Sequence, residues 1–419
     1  MRRPSARRND LHHTTLFQPH QPAFWLYAAI LVLTGWSTVV QQGVFRQISP
    51  AGWALSWGLL LLYAAPVVAV LLLLDLYERE PTSLLVAALL WGGVAATTLA
   101  GIANGGWGLV VADLGGPAFA AKWTAALTAP FVEEILKGLG VVMIYLIGRS
   151  ELDDVLDGFV YGALVGLGFA VVEDVFYFMA VFGGTPGGVL QGFFLRVLAS
   201  GLYSHVLYTG LVGMGIGLVV SRRDDRGLGP RLRVAGGLTA IAVFAHFLWN
   251  SPLLDLFPES PWTAGELLAI PVAGAVKGLP LLAFVAIAVR LAWRRERRWV
   301  HASLAAEVDA IGLSEREVAD LEDPRRRRRA RGAMRTRAGE RAASLLGRLQ
   351  RELVNLAMVR ARVARDDDPA LAEQREYCRS LRDALLAMPG AAPADAAALA
   401  EVAAHPPAGQ RPSPSRDDG

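Results

Sequence analysis

Apolar residues occur in long runs separated by short polar segments, and this pattern sets the architecture before any motif is considered. About eight runs are long enough to cross a bilayer, whose hydrocarbon core takes about 20 helical residues. Their approximate limits are residues 23–40, 53–74, 84–103, 118–147, 154–181, 193–220, 234–250 and 264–293. The pattern predicts an all-α fold, a polytopic transmembrane bundle of about eight helices.

Glycine and proline mark several segments between these runs. QQGVFRQISPAG and GGTPGG are predicted to be loops. The glycine-rich GIANGGWGLVVADLGGP is predicted to be a loop or a re-entrant piece, because it cannot hold a lipid-exposed helix throughout. The fourth run is long enough to tilt, or to break near Pro130. Gly158, Gly162 and Gly166 recur every four residues, a spacing that lets a neighbouring helix come close.

Composition agrees with a membrane protein. Hydrophobic residues make up 53% of the 419 residues and charged residues 19%, and the mean hydropathy is +0.36. These values exclude an ordinary soluble domain. Arginine is concentrated in alternate polar segments and after Arg294, which by the positive-inside rule predicts a multi-pass protein of the cell membrane with both termini in the cytoplasm.

The chain divides into four segments by composition. Residues 1–22 are predicted to be a disordered cytoplasmic arm, and residues 23–293 the membrane domain. Residues 294–365 read as a basic, cytoplasmic, amphipathic helical region, and residues 366–419 as a short helix with a disordered Pro/Ala-rich tail. The arginine run within the basic region suits anionic lipid, or simply keeps the segment soluble, and no nucleic-acid partner is expected.

Acidic side chains within two of the apolar runs point to function. Glu133, Glu134 and Lys137 lie in the fourth run, and Glu173 and Asp174 in the fifth. A charge at mid-membrane costs at least a few kcal/mol, so these groups need partners or a role. The natural partners are the two histidines within later runs, which are His205 and His246.

Helical spacing relates these residues. Glu133 and Lys137 are four apart and share a helix face, so a salt bridge would neutralise Glu133 but leave Glu134 unexplained. Lys137 is interpreted as a charge-balancing or orienting group. Phe169 and Glu173 also share a face, and so do His246 and Asn250, a pair able to direct two donors at one oxygen. Asp174, adjacent to Glu173, is interpreted as a hydrogen-bonding partner of a neighbouring helix.

These motifs resemble those of the PrsW family of intramembrane proteases, a branch of the wider group that includes the CAAX-type and Abi-type membrane proteases. The resemblance covers roughly residues 70–255. It rests, in order, on DLYEREP, FVEEILK, DGFVYGALVGLGFAVVED, the mid-span His205 and AHFLWN. CAAX-type relatives carry a histidine where this chain has Glu173, so their mechanism does not transfer unchanged.

The resemblance implies hydrolysis of a peptide bond of a single-span membrane protein, in the family's style an anti-sigma factor. Glu133 is assigned as the base for water, with Glu173 and His205 as its partners and Glu134 in the same catalytic group. His246 and Asn250 are assigned as oxyanion donors. A zinc-like divalent ion held by Glu133, Glu173, His205 and His246 is the alternative, although no H-E-x-x-H is present and the sequence favours the metal-free version.

Two other functions use similar residues. A proton- or ion-coupled transporter also needs intramembrane Glu and His, but the two halves of the chain show no inverted repeat of broken helices. A non-catalytic receptor or scaffold would act through the tail. The intact set of acidic and histidine side chains argues against that role. The only cysteine, Cys378, lies in the tail and excludes an intrachain disulfide.

Overall fold

The computed structural model describes residues 15–74, 80–199, 204–221, 227–254, 264–321, 323–363 and 365–391. Within these ranges the regular secondary structure is helical, with no β-strand. The chain forms two compact units, one made of residues 5–296 and the other including residues 297–419.

Among the described residues, nine α-helices, α1 to α9, belong wholly or mainly to the first unit. In chain order they are Pro22–Ile48, Pro50–Leu74, Thr82–Gly115, Pro117–Ile147, Val155–Val181, Pro186–Ala199, Ser204–Val220, Leu228–Asn250 and Ala264–Ala305. Single π-helical turns occur within α3, at the end of α5 and at the end of α6.

The membrane prediction is confirmed by the length and polarity of these helices. Six described helices are long and apolar enough to cross a membrane, and α6 with α7, bent by 44°, make a seventh if they are one span. Helix α4 is long enough, with 31 residues, but Lys122, Glu133, Glu134 and Lys137 make it too polar to be recognised by composition. Counting α4 as a further span gives the predicted total of about eight, which stays a prediction.

The glycine-rich segment is helical, so the prediction of a loop or re-entrant piece is wrong. It forms the second part of α3, Thr97–Gly115, and the turn to α4 comes only at Gly116, whose φ is +78°. Each glycine costs a helix about 1 kcal/mol relative to alanine. Backbone groups left unpaired in a bilayer cost several kcal/mol each, which outweighs that penalty.

Two further boundaries differ from the sequence interpretation. The predicted loop QQGVFRQISPAG is almost entirely helical, because α1 continues to Ile48 and α2 begins at Pro50. Helix α4 runs without a break through Pro130. The GGTPGG segment does form a turn, in which Gly183 and Gly184 have positive φ.

Helix α5 lies at the centre of the first unit and is buried along most of its length. A Cβ atom on Gly158, Gly162 or Gly166 would come within 2.2–2.3 Å of a backbone oxygen of α7. The predicted close approach of a neighbouring helix is therefore confirmed. This packing places α7 directly against α5, so that side chains from both helices meet beside α4.

The second unit has its own small core. Its helices are Val308–Ile311 (α10), Glu315–Leu321 (α11), Pro324–Arg362 (α12) and Pro369–Leu386 (α13), with a break in α12 at Gly339. Glu307 is fully buried and pairs with Arg360 and Arg375. The predicted disordered segments, residues 1–14 of the arm and 392–419 of the tail, lie outside the described residues.

Candidate functional site

Helix α4 brings three charged side chains into the interior of the first unit. Glu133, Glu134 and Lys137 are exposed by only 3%, 2% and 0%. The Lys137 ammonium lies 2.6 Å from Glu134 Oε1 and 3.5 Å from Glu133 Oε2. Lys137 therefore bridges both carboxylates, which agrees with the charge-balancing role inferred for it.

His246 reaches this cluster from α8. Its Nδ1 lies 3.0 Å from Glu134 Oε1, and its Nε2 lies 3.8 Å from Glu133 Oε2. An ionised carboxylate only accepts hydrogen bonds, so Nδ1 carries the proton that is donated to Glu134. The lone pair of His246 is then on Nε2, on the side of Glu133.

His205 reaches the cluster from the first turn of α7. Lys137 Nζ lies 3.0 Å from His205 Nδ1, and His205 Nε2 lies 3.2 Å from Glu173 Oε2. The ammonium has only donors, so Nδ1 accepts from Lys137 while Nε2 donates to Glu173. His205 thus joins the acidic motif of α4 to that of α5.

Arg196 of α6 binds the two acidic side chains of α5. Its Nη2 donates to Glu173 Oε2 at 2.9 Å and its Nε to Asp174 Oδ1 at 2.5 Å. The guanidinium also stacks on Tyr177, with 3.6 Å from Cζ to the ring centre. Asp174 thus bonds to a neighbouring helix, as the sequence indicates.

Aromatic and hydroxyl groups complete the cluster. The centre of the Phe169 ring lies 5.0 Å from the centre of the His205 ring and 4.3 Å from the Lys137 ammonium. Tyr208 stacks on His246 at 4.8 Å. Thr209 donates a hydrogen bond to Glu134 Oε2 at 2.9 Å, so Glu134 is held from three helices.

Three side chains are arranged as a metal site requires. Glu133, His205 and His246 are all buried and can each offer one ligand atom within 4.8 Å of the others. Two histidines and one carboxylate are a common catalytic zinc set, in which bonds of about 2 Å bring ligand atoms to roughly 3.4 Å from each other. Glu133 Oε2 lies 3.9 Å from His205 Nδ1 and 3.8 Å from His246 Nε2. To bind a cation, the three ligand atoms would have to move closer together, and His205 Nδ1 would have to release the hydrogen bond that it accepts from Lys137.

The charge balance of the cluster also fits a divalent cation. Four carboxylates share two cationic side chains, and two negative charges are left over when all four carboxylates are ionised and both histidines are neutral. The carboxylates are Glu133, Glu134, Glu173 and Asp174, and the cations are Lys137 and Arg196. A buried excess of this size is costly unless a further positive charge compensates it.

A cavity of about 780 Å³ opens beside the cluster. Glu133, Glu173, His205 and His246 line it, and it extends along α4 to Ala120 and along α8 to Asn250. Asn250 is partly buried, and its Nδ2 lies 3.5 Å from the carbonyl oxygen of Ala125, at the limit of a hydrogen bond. His246 and Asn250 thus border one cavity, but His246 Nδ1 is committed to Glu134.

Sequence reasoning assigned no role to three residues that contact the cluster. These are Asn104, which donates to Glu133 Oε1 at 3.1 Å, together with Arg196 and Thr209. A single amide in an apolar stretch is a usable signal, but the glycines around Asn104 led to the prediction of a loop. Thr209 lies one helical turn after His205 and shares its face.

Comparisons with known proteins identify the family of this chain. Residues 80–298, more than half of the chain, match a family described as "PrsW family intramembrane metalloprotease". Protease PrsW of Bacillus subtilis (strain 168) is 30% identical over 156 residues, which are 36% of this chain and 65% of that protein. Protease PrsW of Geobacillus kaustophilus (strain HTA426) is 32% identical over 161 residues, 36% of this chain and 63% of that protein.

These alignments span less than two-thirds of each relative. No solved structure matches the chain. The family match, in contrast, includes the acidic motifs of α4 and α5 and both membrane histidines. The chain belongs to the PrsW family of intramembrane metalloproteases.

Proposed function

We propose that this protein is an intramembrane endopeptidase that hydrolyses a peptide bond of a single-span membrane protein. The main support is the burial of Glu133, His205 and His246 around one cavity, at the centre of apolar helices. An anti-sigma factor, the substrate implied by the sequence resemblance, is one member of this substrate class.

Glu133, His205 and His246 would hold a zinc-type cation, contrary to the metal-free version that the sequence favoured. The donor set, the two surplus negative charges and the description of the family all support the metal version. A cation bound there supplies a water whose pKa is lowered towards neutrality. Glu173, which was included in the broader ligand set, lies instead with Arg196 and the Nε2 of His205.

The other side chains of the cluster then have separate tasks. Glu134 holds His246 in the tautomer whose Nε2 lone pair faces Glu133, a usual arrangement for metal-binding histidines. Lys137 balances the charge of Glu133 and Glu134. Glu173 borders the cavity and accepts from His205, so it is placed to exchange protons with the reacting groups. Asn250 remains the candidate donor to the oxyanion.

The position of the site indicates where the cut falls. The cavity reaches the beginning of α4 and the end of α8, ends that the arginine distribution assigns to the outside. His246 is four residues from the end of α8, about 6 Å along the helix. Because its Nε2 lies 3.8 Å from Glu133 Oε2, Glu133 is at a similar depth, and the 16 residues of α4 before Glu133 extend further outwards than the end of α8. The scissile bond is therefore expected on the outer side of the cell membrane, with both protease termini in the cytoplasm.

The decisive experiment uses the purified protein and a panel of fluorescent single-span peptides in detergent micelles. Cleavage by the wild type and none by Glu133→Gln, with equal yield and equal monodispersity of both proteins, is the expected result. Mass spectrometry of the fragments then locates the cut. Equal cleavage by Glu133→Gln would reject the assignment, and a cytoplasmic cut would show that the topology or the site is wrong.

The second unit supports a separate proposal about the membrane surface. Arg325, Arg326, Arg328 and Arg329 lie exposed in the first turns of α12. A cluster of this kind binds anionic headgroups with about 1 kcal/mol per side chain near the surface. Replacing the four arginines by glutamine should weaken binding of residues 297–419 to phosphatidylserine vesicles, measured against phosphatidylcholine vesicles as control.

A further inference from the structure

Asn104, on α3, hydrogen-bonds to a carboxylate of the acidic motif on α4. Its Nδ2 donates to Glu133 Oε1 at 3.1 Å. Because an ionised carboxylate accepts and does not donate, the amide nitrogen must be the atom that faces Glu133. This bond fixes Oε1, and it leaves Oε2 as the atom nearest His205 and His246.

The other end of the same amide is left without a partner. Asn104 Oδ1 is buried and accepts no hydrogen bond among the described residues. A buried acceptor without a partner costs about 1–3 kcal/mol, and native proteins keep few of them. Asn104 borders the cavity that contains Glu133, Glu173 and both histidines. Its oxygen is covered in this structure, so a molecule in the cavity reaches it only after the side chains around it shift.

The surroundings of Asn104 leave room for such a molecule while holding the helix in place. A Cβ atom on Gly101, one turn earlier on α3 and also bordering the cavity, would meet no atom within 4 Å. A Cβ atom on Gly108, one turn later, would lie 3.2 Å from Thr124 Cγ2 of α4. The glycine at 108 thus keeps α3 close to α4, and the glycine at 101 keeps the cavity wide beside the amide.

We propose that Asn104 is a positioning residue with two separate tasks, an inference that rests on the proposed protease function. Its amide nitrogen orients Glu133 so that Oε2 is directed at His205 and His246. Its amide oxygen accepts a peptide N–H from the unwound stretch of the substrate. A membrane helix that unwinds for cleavage exposes N–H groups that have lost their helical acceptors, and an acceptor with no partner of its own can bind such a group.

The first test addresses the amide nitrogen and needs no proteolysis. Metal-free full-length protein is titrated with Co²⁺, and binding is followed by visible absorption. Loss of a group that orients a metal ligand typically weakens the metal 10- to 100-fold, so Asn104→Leu is expected to weaken Co²⁺ binding about tenfold or more. The matched control is Thr98→Val. Thr98 lies on the same helix as Asn104, and its hydroxyl hydrogen-bonds to the hydroxyl of Thr38. Equal Co²⁺ affinity of Asn104→Leu and wild type would show that the amide nitrogen does not orient Glu133 for metal binding.

The second test addresses the amide oxygen. A cleaved single-span peptide is synthesised as a series in which one backbone amide at a time is replaced by an ester, which removes one N–H. One ester near the scissile bond is expected to lower kcat/KM up to about tenfold for the wild type and for Thr98→Val, but less than twofold for Asn104→Leu. If every ester costs the wild type and Asn104→Leu the same factor, the amide oxygen does not bind the substrate.

The two tests separate this inference from the proposed function. If Asn104→Leu binds Co²⁺ more weakly but the wild type cleaves no peptide, the proposed protease function is wrong, while the orientation of Glu133 by Asn104 stands. If the wild type cleaves the peptide and Asn104→Leu has unchanged kcat, KM and Co²⁺ affinity, the proposed role of Asn104 is wrong, while the proposed protease function stands. If Asn104→Leu is not monodisperse, Asn104→Ala is used for the same comparisons.

Discussion

His246 Nδ1 lies 3.0 Å from Glu134 Oε1, so one of the two adjacent carboxylates on α4 orients a histidine. Glu134 also accepts from Thr209 and pairs with Lys137, which leaves it no direct access to a substrate. Two neighbouring glutamates therefore have different environments. Glu133 borders the cavity, whereas Glu134 holds the side chains around it.

Asn250→Ala is expected to lower kcat about 10²-fold, with a smaller effect on KM. The reason is that His246 Nδ1 is committed to Glu134, whereas the Asn250 amide borders the same cavity and can donate to an oxyanion. Loss of one oxyanion donor usually costs a factor of 10²–10³ in kcat. Steady-state kinetics on a cleaved peptide provide the measurement. A higher KM with unchanged kcat would make Asn250 a group that binds the substrate and not the oxyanion.

Lys137→Met is expected to destabilise the protein strongly in detergent. The ammonium is fully buried and pairs with Glu133 and Glu134, and removing one partner of a buried ion pair typically costs 3–5 kcal/mol. Thermal unfolding followed by circular dichroism gives the comparison. Arg335→Met, which removes an exposed ion pair with Glu340 in the second unit, is the control and should leave the Tm unchanged.

Zinc adds a second condition to the Lys137 experiment. A divalent cation bound by Glu133 would replace part of the lost positive charge, so zinc should raise the Tm of Lys137→Met more than that of the wild type. A Tm of Lys137→Met equal to that of the wild type in the absence of zinc would show that the buried ammonium does not stabilise the fold.

The sequence was sufficient to predict the membrane helices and the acidic motifs because the bilayer penalises both loops and charges. Apolar runs therefore indicate membrane-spanning helices. A charged residue within such a run, for example Glu133, indicates an ion-pair partner or a functional role. Local composition was not sufficient for Thr97–Gly115, where glycine content suggested a loop and backbone pairing favoured a helix. Contacts such as Thr209 with Glu134 join residues 75 positions apart, which no local spacing reveals.

Gly162→Ala is expected to destabilise the fold because the new Cβ atom would lie 2.3 Å from the carbonyl oxygen of Thr209. The two helices would have to separate, and Thr209, which holds Glu134, would move with α7. A loss of about 1–3 kcal/mol is typical for overpacking of a tight contact. Gly237→Ala on α8 is the control, since its Cβ atom would meet no atom within 4 Å. Equal unfolding temperatures of both variants would contradict the close packing of α5 and α7.

Peptide cleavage is expected to depend on a bound divalent cation, although the sequence favoured hydrolysis without a metal. Four carboxylates around two cationic side chains, with two histidines beside Glu133, form a cluster that a divalent ion would neutralise. Exhaustive treatment with 1,10-phenanthroline is therefore expected to stop peptide cleavage, and stoichiometric zinc to restore it. Zinc content is measured in parallel by mass spectrometry.

Two comparisons make this result specific to the cluster. Glu133→Gln should contain less zinc than the wild type and should not recover with added zinc, because it lacks one of the three ligands. Thr98→Val should follow the wild type. If the chelated protein contains no zinc and still cleaves at the full rate, hydrolysis is metal-free. Glu133 would then have to take the proton from the attacking water itself, and His246 Nε2, 3.8 Å from Glu133 Oε2, lies close enough to share that proton after a small movement.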